Sequence, residues 1–150
     1  TKSIRLNGGD RLTLSRETEL GTISVSNILF AQIIADSFQQ ASCRNKVWPS
    51  TKKGRQIGSD AKFSISDFAG NIEVEPSFDG DSVDIEFSVI VKFGTSIRKL
   101  TDAVADYIAD TIYQKQKKKP NQIKIRIAGV KSRQVARRNL EVIKRYGTEG

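Results

Sequence analysis

The side chains best placed to do chemistry are four carboxylates at alternate positions in two neighbouring segments. Glu73 and Glu75 lie in NIEVEPSF (71–78), and Asp84 and Glu86 in SVDIEFSVIVKF (82–93). On two paired strands all four would share a face. Clustered oxygens are what a hard divalent cation or carboxylate acid–base chemistry requires. Alternating outward residues on a solvated sheet face are ordinarily just polar, however. Cys43 is the one thiol, so no intrachain disulfide can form. A nucleophilic cysteine needs a nearby base, and the chain contains no histidine. That absence removes Ser-His-Asp and Cys-His units and every histidine-containing zinc site. The expectation is a protein without catalytic residues, metal or cofactor.

A second candidate is KFGTSIRKL (92–100), where an alternating apolar run stops at Gly94 and a helical pattern begins. A phosphate-binding P-loop needs a glycine-rich turn ending in Lys-Ser or Lys-Thr, and a dinucleotide fingerprint needs G-x-G-x-x-G. This stretch has one glycine and matches neither. Gly94 is then a turn, with Thr95 or Ser96 capping the helix. Arg98 and Lys99 stand where a helix dipole disfavours cations by ~0.3–1 kcal/mol, and an acidic partner would offset that repulsion.

Charge is the strongest compositional signal. The 150 residues carry a net charge of +8. Residues 115–145 hold twelve cations and one acid, Glu141, so this segment is +11 and the remainder sums to −3. A basic surface of this kind suits nucleic acid, an anionic membrane surface or an acidic protein, or is simply solvated. The candidate interaction residues are Trp48, Lys52, Lys53 and Arg55 in a basic segment, Arg98 and Lys99 at the helix start, and Lys117, Lys118, Lys119, Arg133, Arg137 and Arg138 toward the C-terminus. Trp48 either makes a contact or tucks back onto the core.

These residues must be positioned by a small number of elements. Residues 1–20 show no sustained period and read as a mobile N-terminal extension. GTISVS (21–26) reads as a strand. NILFAQIIADSFQQAS (27–42) reads as a helix with the stripe Leu29, Phe30, Ile33, Ile34, Phe38 and Ala41, capped by Ser26 or Asn27. Residues 43–60, with Pro49, Gly54 and Gly58, read as a long basic loop, and 61–68 as a short strand or more loop. The segments 71–78 and 82–93 flank DGD, a strong hairpin signal. The second of these places Val83, Ile85, Phe87, Val89, Val91 and Phe93 on one face. SIRKLTDAVADYIADTIYQK (96–115) repeats Ile97, Leu100, Val104, Ile108 and Ile112 on one helix face, and Pro120 ends it. QIKIRIAGV (122–130) alternates as a strand. SRQVARRNLEVIKRYG (132–147) reads as a last, basic helix with Val135, Leu140, Val142, Ile143 and Tyr146 apolar, stopped at Gly147.

The expected class is therefore α+β. It is a two-layer β-α-β-β-α-β sandwich in the split order of ferredoxin-like folds, with one sheet covered by helices and a terminal helix. The domain plan is an extension (1–20), a core (21–131) containing the 43–60 loop, and a C-terminal helix and tail (132–150). The same element order serves RNA-recognition motifs, but the outward face carries Glu73, Glu75, Asp84 and Glu86 and no stacking ring, which excludes RNA on the sheet. No apolar run is long enough to span a bilayer, and no signal-like segment is expected.

Three stretches resemble the alkaline-shock and general-stress (Gls-type) envelope stress response family of Gram-positive bacteria. They are GTISVSNILFAQIIADSF (21–38), GNIEVEPSFDGDSVDIEFSVIVKFGTSIRKLTDAVADYIADTI (70–112) and IKIRIAGV (123–130). The family pattern is a long strand ending in V-x-Y/F-G, then a short turn into an amphipathic helix. Here that is Val91-Lys92-Phe93-Gly94, then Ile97. The resemblance implies a small, abundant, cytoplasmic and non-enzymatic accessory protein, some members being held at the inner face of the membrane by a separate anchor protein. It makes Gly94 and Ile97 structural. The chain departs from the pattern at Arg98 and Lys99, in its basic 43–60 loop and in its overall basic charge. The expected function is an adaptor in the alkaline and cell-envelope stress response, acting through a protein partner or self-association. The alternative is a nucleic-acid (RNA) binding module using the basic C-terminal segment, and the same cations could also meet anionic lipid.

Overall fold

The computed structural model describes residues 15–18, 21–59, 63–76 and 82–146. The described chain is mixed α+β, with a five-stranded, mostly antiparallel sheet and three helices. Its centre is the strand pair β5 (Val83–Lys92) and β6 (Gln122–Lys131), which run parallel from Asp84↔Gln122 to Lys92↔Lys131. A parallel pair needs a crossover. It is supplied by α3 (Ile97–Gln116), whose Leu100, Val104, Ile108 and Ile112 are buried, as their spacing requires.

The predicted hairpin is present. β4 (Glu73–Pro76) pairs antiparallel with the first half of β5, in the register Val74↔Ile85. Its DGD turn lies outside the described residues. Ile85, Phe87, Val89, Ile123, Ile125 and Ile127 point into one core, where Phe38, Phe68 and Phe87 pack with ring centroids 6.1–6.5 Å apart.

The sheet differs from the expected one in several respects. The segment expected to form a terminal helix is β7 (Val135–Arg145), antiparallel to β6 along its length. Ala136, Arg137, Leu140 and Glu141 are good helix formers, but propensity is a weak prior. Left uncovered, β6 would present a row of unpaired backbone groups, and β7 satisfies them. In the strand, Val142 and Lys144 sit opposite Ile125 and Ile123 on the core side, and Lys144 Nζ donates to Asp102 of α3 at 2.8 Å. The expected stop at Gly147 lies outside the described residues.

The segment expected to be a long loop contains β3 (Val47–Ser50), which pairs with the second half of β5. Pro49 is tolerated there because β3 is an edge strand. A tight turn follows: Thr51 N–H donates to Arg55 O, and Ser50 bridges Gln56. This turn folds onto the outer sheet face. Gly54 has φ +94°, and a Cβ there would lie 3.2 Å from Ala128 O, so the approach needs a glycine. Below it Ser88 and Ile90 are buried, although they face away from the helices.

At the N-terminal side, β1 (Ser15–Thr18) and β2 (Gly21–Ser24) form a separate two-stranded sheet. The first predicted strand therefore does not join the main sheet, and the split order of a ferredoxin-like fold is not reproduced. Of the predicted extension, 1–14 and 19–20 lie outside the described residues. Helix α1 is Val25–Ser37, so Ser26 and Asn27 are inside it rather than capping it. Asn27 instead donates to Ala69 O and Ile72 O at 3.3 and 3.1 Å. Residues expected as a short strand or loop form α2 (Ile65–Ala69), capped by Ser64, whose Oγ accepts from Asp67 N–H. Leu29 and Ala41 of the expected stripe are exposed, while Phe30, Ile33, Ile34 and Phe38 are buried.

Candidate functional site

The four carboxylates do meet, in cross-strand pairs: Glu73 stands opposite Glu86 and Glu75 opposite Asp84. Three of them have partners. Glu73 pairs with Lys52, Asp84 accepts from Asn121 Nδ2 at 2.8 Å, and Glu86 accepts from Arg126 at 2.9 Å. Arg126 also reaches Glu141 at 3.2 Å, and Lys124 approaches the same carboxylate at 3.5 Å. The row is a charge ladder across β4, β5, β6 and β7. Among the described residues no group of His, Cys, Asp and Glu is arranged to hold a metal ion. Cys43 is fully buried in the core.

Chain connectivity decides where the cations stand. α3 leaves the end of the sheet where β5 and β6 finish, since Phe93 N–H donates to Lys131 O. It returns at the end where they begin, since Asn121 N–H donates to Val83 O and Ser82 Oγ to Lys119 O. β5 has ten residues, which at about 3.3 Å each separates the two ends by roughly 33 Å. The twelve cations of 115–145 are therefore not one face. Lys117, Lys118 and Lys119 lie at the starting end. Lys124 and Arg126 belong to the charge ladder. Arg133, Arg137 and Arg138 lie near the β6–β7 turn, at the finishing end.

Arg98 and Lys99 also stand at the finishing end, in the first turn of α3. Ser96 caps that turn, its Oγ accepting from Lys99 N–H at 3.3 Å. The basic turn after β3 reaches toward this end as well. Arg137 Cδ would lie 3.9 Å from a Cβ on Gly54, between Lys53 and Arg55. Trp48 faces outward and is partly buried, with Lys131 Nζ 4.7 Å above its ring. Lys131 also donates to Gln56 at 2.9 Å. Trp48 therefore packs back onto the outer face of the sheet beside Lys131.

The most distinctive feature of this end is an open cleft of about 430 Å³ lined by Ser42, Lys46, Lys92, Phe93, Gly94, Thr95, Ser96, Lys99 and Leu100. Gly94 has φ +86°, and this turn ends β5 at Lys92. Phe93 is consequently not on the core face where alternation placed it; it is 69% exposed. Lys46 O accepts from Lys92 N–H at 2.8 Å, which sets the two lysines on adjacent strand ends. Among the described residues Lys46, Lys92 and Lys99 make no side-chain ion pair or hydrogen bond. The first turn of α3 contains no acidic residue.

Of the cleft cations, sequence reasoning found Lys99 and missed Lys46 and Lys92. Lys92 carried a signal, since it ends an alternating strand next to a turn glycine. Lys46 joins it only once β3 is recognised. At the opposite end, Lys117 is the left-handed C-cap of α3, with φ 62°, and Lys119 Nζ lies 5.8 Å from the centroid of the Tyr146 ring. The Tyr146 hydroxyl donates to Asp106 at 3.0 Å. Burial, then this bond and the charges of Asp106, Asp102 and Asp110, push its phenol pKa up from the ordinary value.

No helix among the described residues is long and apolar enough to cross a membrane. Residues 15–132 match the sequence model of the alkaline shock protein family, described as having a cell envelope-related function. Neither the curated proteins nor the solved structures compared with the chain give a match.

Proposed function

The chain belongs to the alkaline shock protein family, with its cell envelope-related function, and from that premise we propose that it is a non-catalytic adaptor of the envelope stress response. It acts at the cytoplasmic face of the membrane through protein contacts, including contacts between its own copies. The observation that supports self-association is the contrast between the two sheet edges. One edge is divided between β3 and β4, four residues each, and each holds a proline. Short strands and prolines are the devices that keep an edge from pairing. The other edge is β7, eleven residues without proline, with Leu140 44% and Ile143 39% exposed. Such an edge is a template for a second strand, and a twofold pairing of two copies would extend the sheet. The cations on which a nucleic-acid reading relies divide between two ends of the sheet, which favours the protein-contact reading.

The test is sedimentation velocity across a concentration series. Tyr146 N–H points at β6, where it bonds Asn121 O. Alternation then turns the N–H of Ile143 outward, so Ile143→Pro removes a donor that β6 does not use. The wild type should show a concentration-dependent oligomer, and the variant a monomer with an unchanged far-ultraviolet spectrum. A wild type that stays monomeric at all concentrations, or a variant that assembles equally well, would remove the β7 edge from the account.

A further inference from the structure

We propose that the cleft at the finishing end of the sheet is the docking site for an acidic, apolar-containing segment of a partner protein. This deepens the adaptor reading and rests on it. Lys46 just before β3, Lys92 at the end of β5 and Lys99 in the first turn of α3 all line the cleft. Lys92 stands in register beside Lys131 and bonds backbone to backbone with Lys46. Like charges side by side on neighbouring strands are destabilising. Arg98 and Lys99 add positive charge to a helix start that already favours anions. The fold assembles this repulsion and, among the described residues, supplies no carboxylate to relieve it at Lys46, Lys92 or Lys99. A carboxylate-bearing ligand would.

The rest of the lining selects among anionic partners. Phe93 presents an exposed ring at the rim, while Leu100, 3% exposed, lies at the floor. An apolar side chain flanked by acids satisfies both. A bilayer surface is flat on this scale and would meet the rim cations without reaching the floor. A single-stranded nucleic acid needs an extended groove with successive rings on which bases stack. This cleft offers one exposed ring, Phe93, among its lining residues. Phosphate recognition also favours arginine forks, and the charged groups lining the cleft are all lysines.

The experiment measures fluorescence anisotropy of a labelled decapeptide of eight glutamates and two phenylalanines, at an ionic strength of about 0.1 M, where the screening length is about 10 Å. It uses the full chain carrying Ile143→Pro, so that self-association does not enter the readout. The peptide should bind. The triple reversal Lys46→Glu, Lys92→Glu, Lys99→Glu should weaken binding on the order of tenfold or more. Phe93→Ala should weaken it about fivefold through lost apolar contact. The matched reversal Lys117→Glu, Lys118→Glu, Lys119→Glu makes the same change in net charge at the other end and should alter affinity less than about threefold, since at that distance the charges are screened. Far-ultraviolet spectra and thermal midpoints confirm that each variant is folded. Equal losses in the two triple variants, or no binding by the peptide, would overturn the proposal. So would tighter binding of a ten-nucleotide oligodeoxythymidylate, or of phosphatidylglycerol vesicles, that disappears with the Lys46/Lys92/Lys99 reversal. Those outcomes would hand the cleft to nucleic acid or to the membrane. Loss of cleft binding would leave the β7 test standing, so the two ideas fail separately.

Discussion

Two groups of three lysines sit at opposite ends of one sheet, and their surroundings differ in almost every respect. Lys117, Lys118 and Lys119 are contiguous in sequence and follow the C-terminus of α3, where a helix dipole favours cations. Lys117 supplies the left-handed cap, and Lys119 lies over the Tyr146 ring. Lys46, Lys92 and Lys99 are scattered through the sequence yet line one cleft, at the helix end where cations are disfavoured. The charge run that stands out in the sequence finishes a helix. The site that seeks an anion is assembled by topology from cations that look unremarkable singly.

This contrast can be tested on stability, beginning with the largest effect. Leu100→Ala, at the cleft floor, should destabilise the protein by ~2–4 kcal/mol in urea unfolding, because a buried side chain is removed. Tyr113→Ala, near the far end of the same helix and 50% exposed, should stay within about 1 kcal/mol of the wild type. A similar loss in both would mean that the two helix ends are packed alike. Next come the two caps, with opposite signs. Ser96→Ala removes the side-chain acceptor for Lys99 N–H and should cost about 1 kcal/mol. Lys117→Gly should stabilise by about 0.5–1 kcal/mol, since glycine adopts the left-handed conformation without strain.

The smallest effect concerns pH. The folded state holds the Tyr146 phenol in its neutral form above the ordinary value, through burial and the bond to Asp106. Its contribution is therefore complete below about pH 10, where an unfolded tyrosine titrates. It is lost as pH rises above that, because the unfolded chain then releases the proton first. Tyr146→Phe should flatten the decline of thermal midpoint above pH 10 relative to the wild type. Parallel declines in the two proteins would show that Tyr146 does not couple to that transition.

Much of the layout was legible in sequence because it follows from local periodicity. The β4–β5 hairpin, α3 and β6 all obey strict spacings, and Val91-Lys92-Phe93-Gly94 led to the family. Structure and local pattern part where long-range pairing overrides local preference. β7 contains helix formers and becomes a strand because β6 has an open edge. β3 is four residues with a proline, and only β5 beside it makes it a strand. Phe93 continues the alternation of β5 in sequence, yet Gly94 turns the backbone and leaves the ring in solvent. Lys46 could not be connected with Lys92 without β3. The site is half visible in sequence for that reason: Arg98 and Lys99 stand out as oddly placed at the helix start, while the other two cleft lysines depend on a strand pairing that the local pattern does not encode.

The most direct test of the cleft is a ¹⁵N–¹H correlation spectrum of the full chain carrying Ile143→Pro, titrated with the acidic decapeptide. The account predicts progressive shifts at the amides of Lys92, Phe93, Gly94, Thr95, Ser96 and Leu100, with those of Lys117, Lys118, Lys119 and Asn121 unmoved. Shifts concentrated at 117–121, or spread equally over both ends, would contradict it.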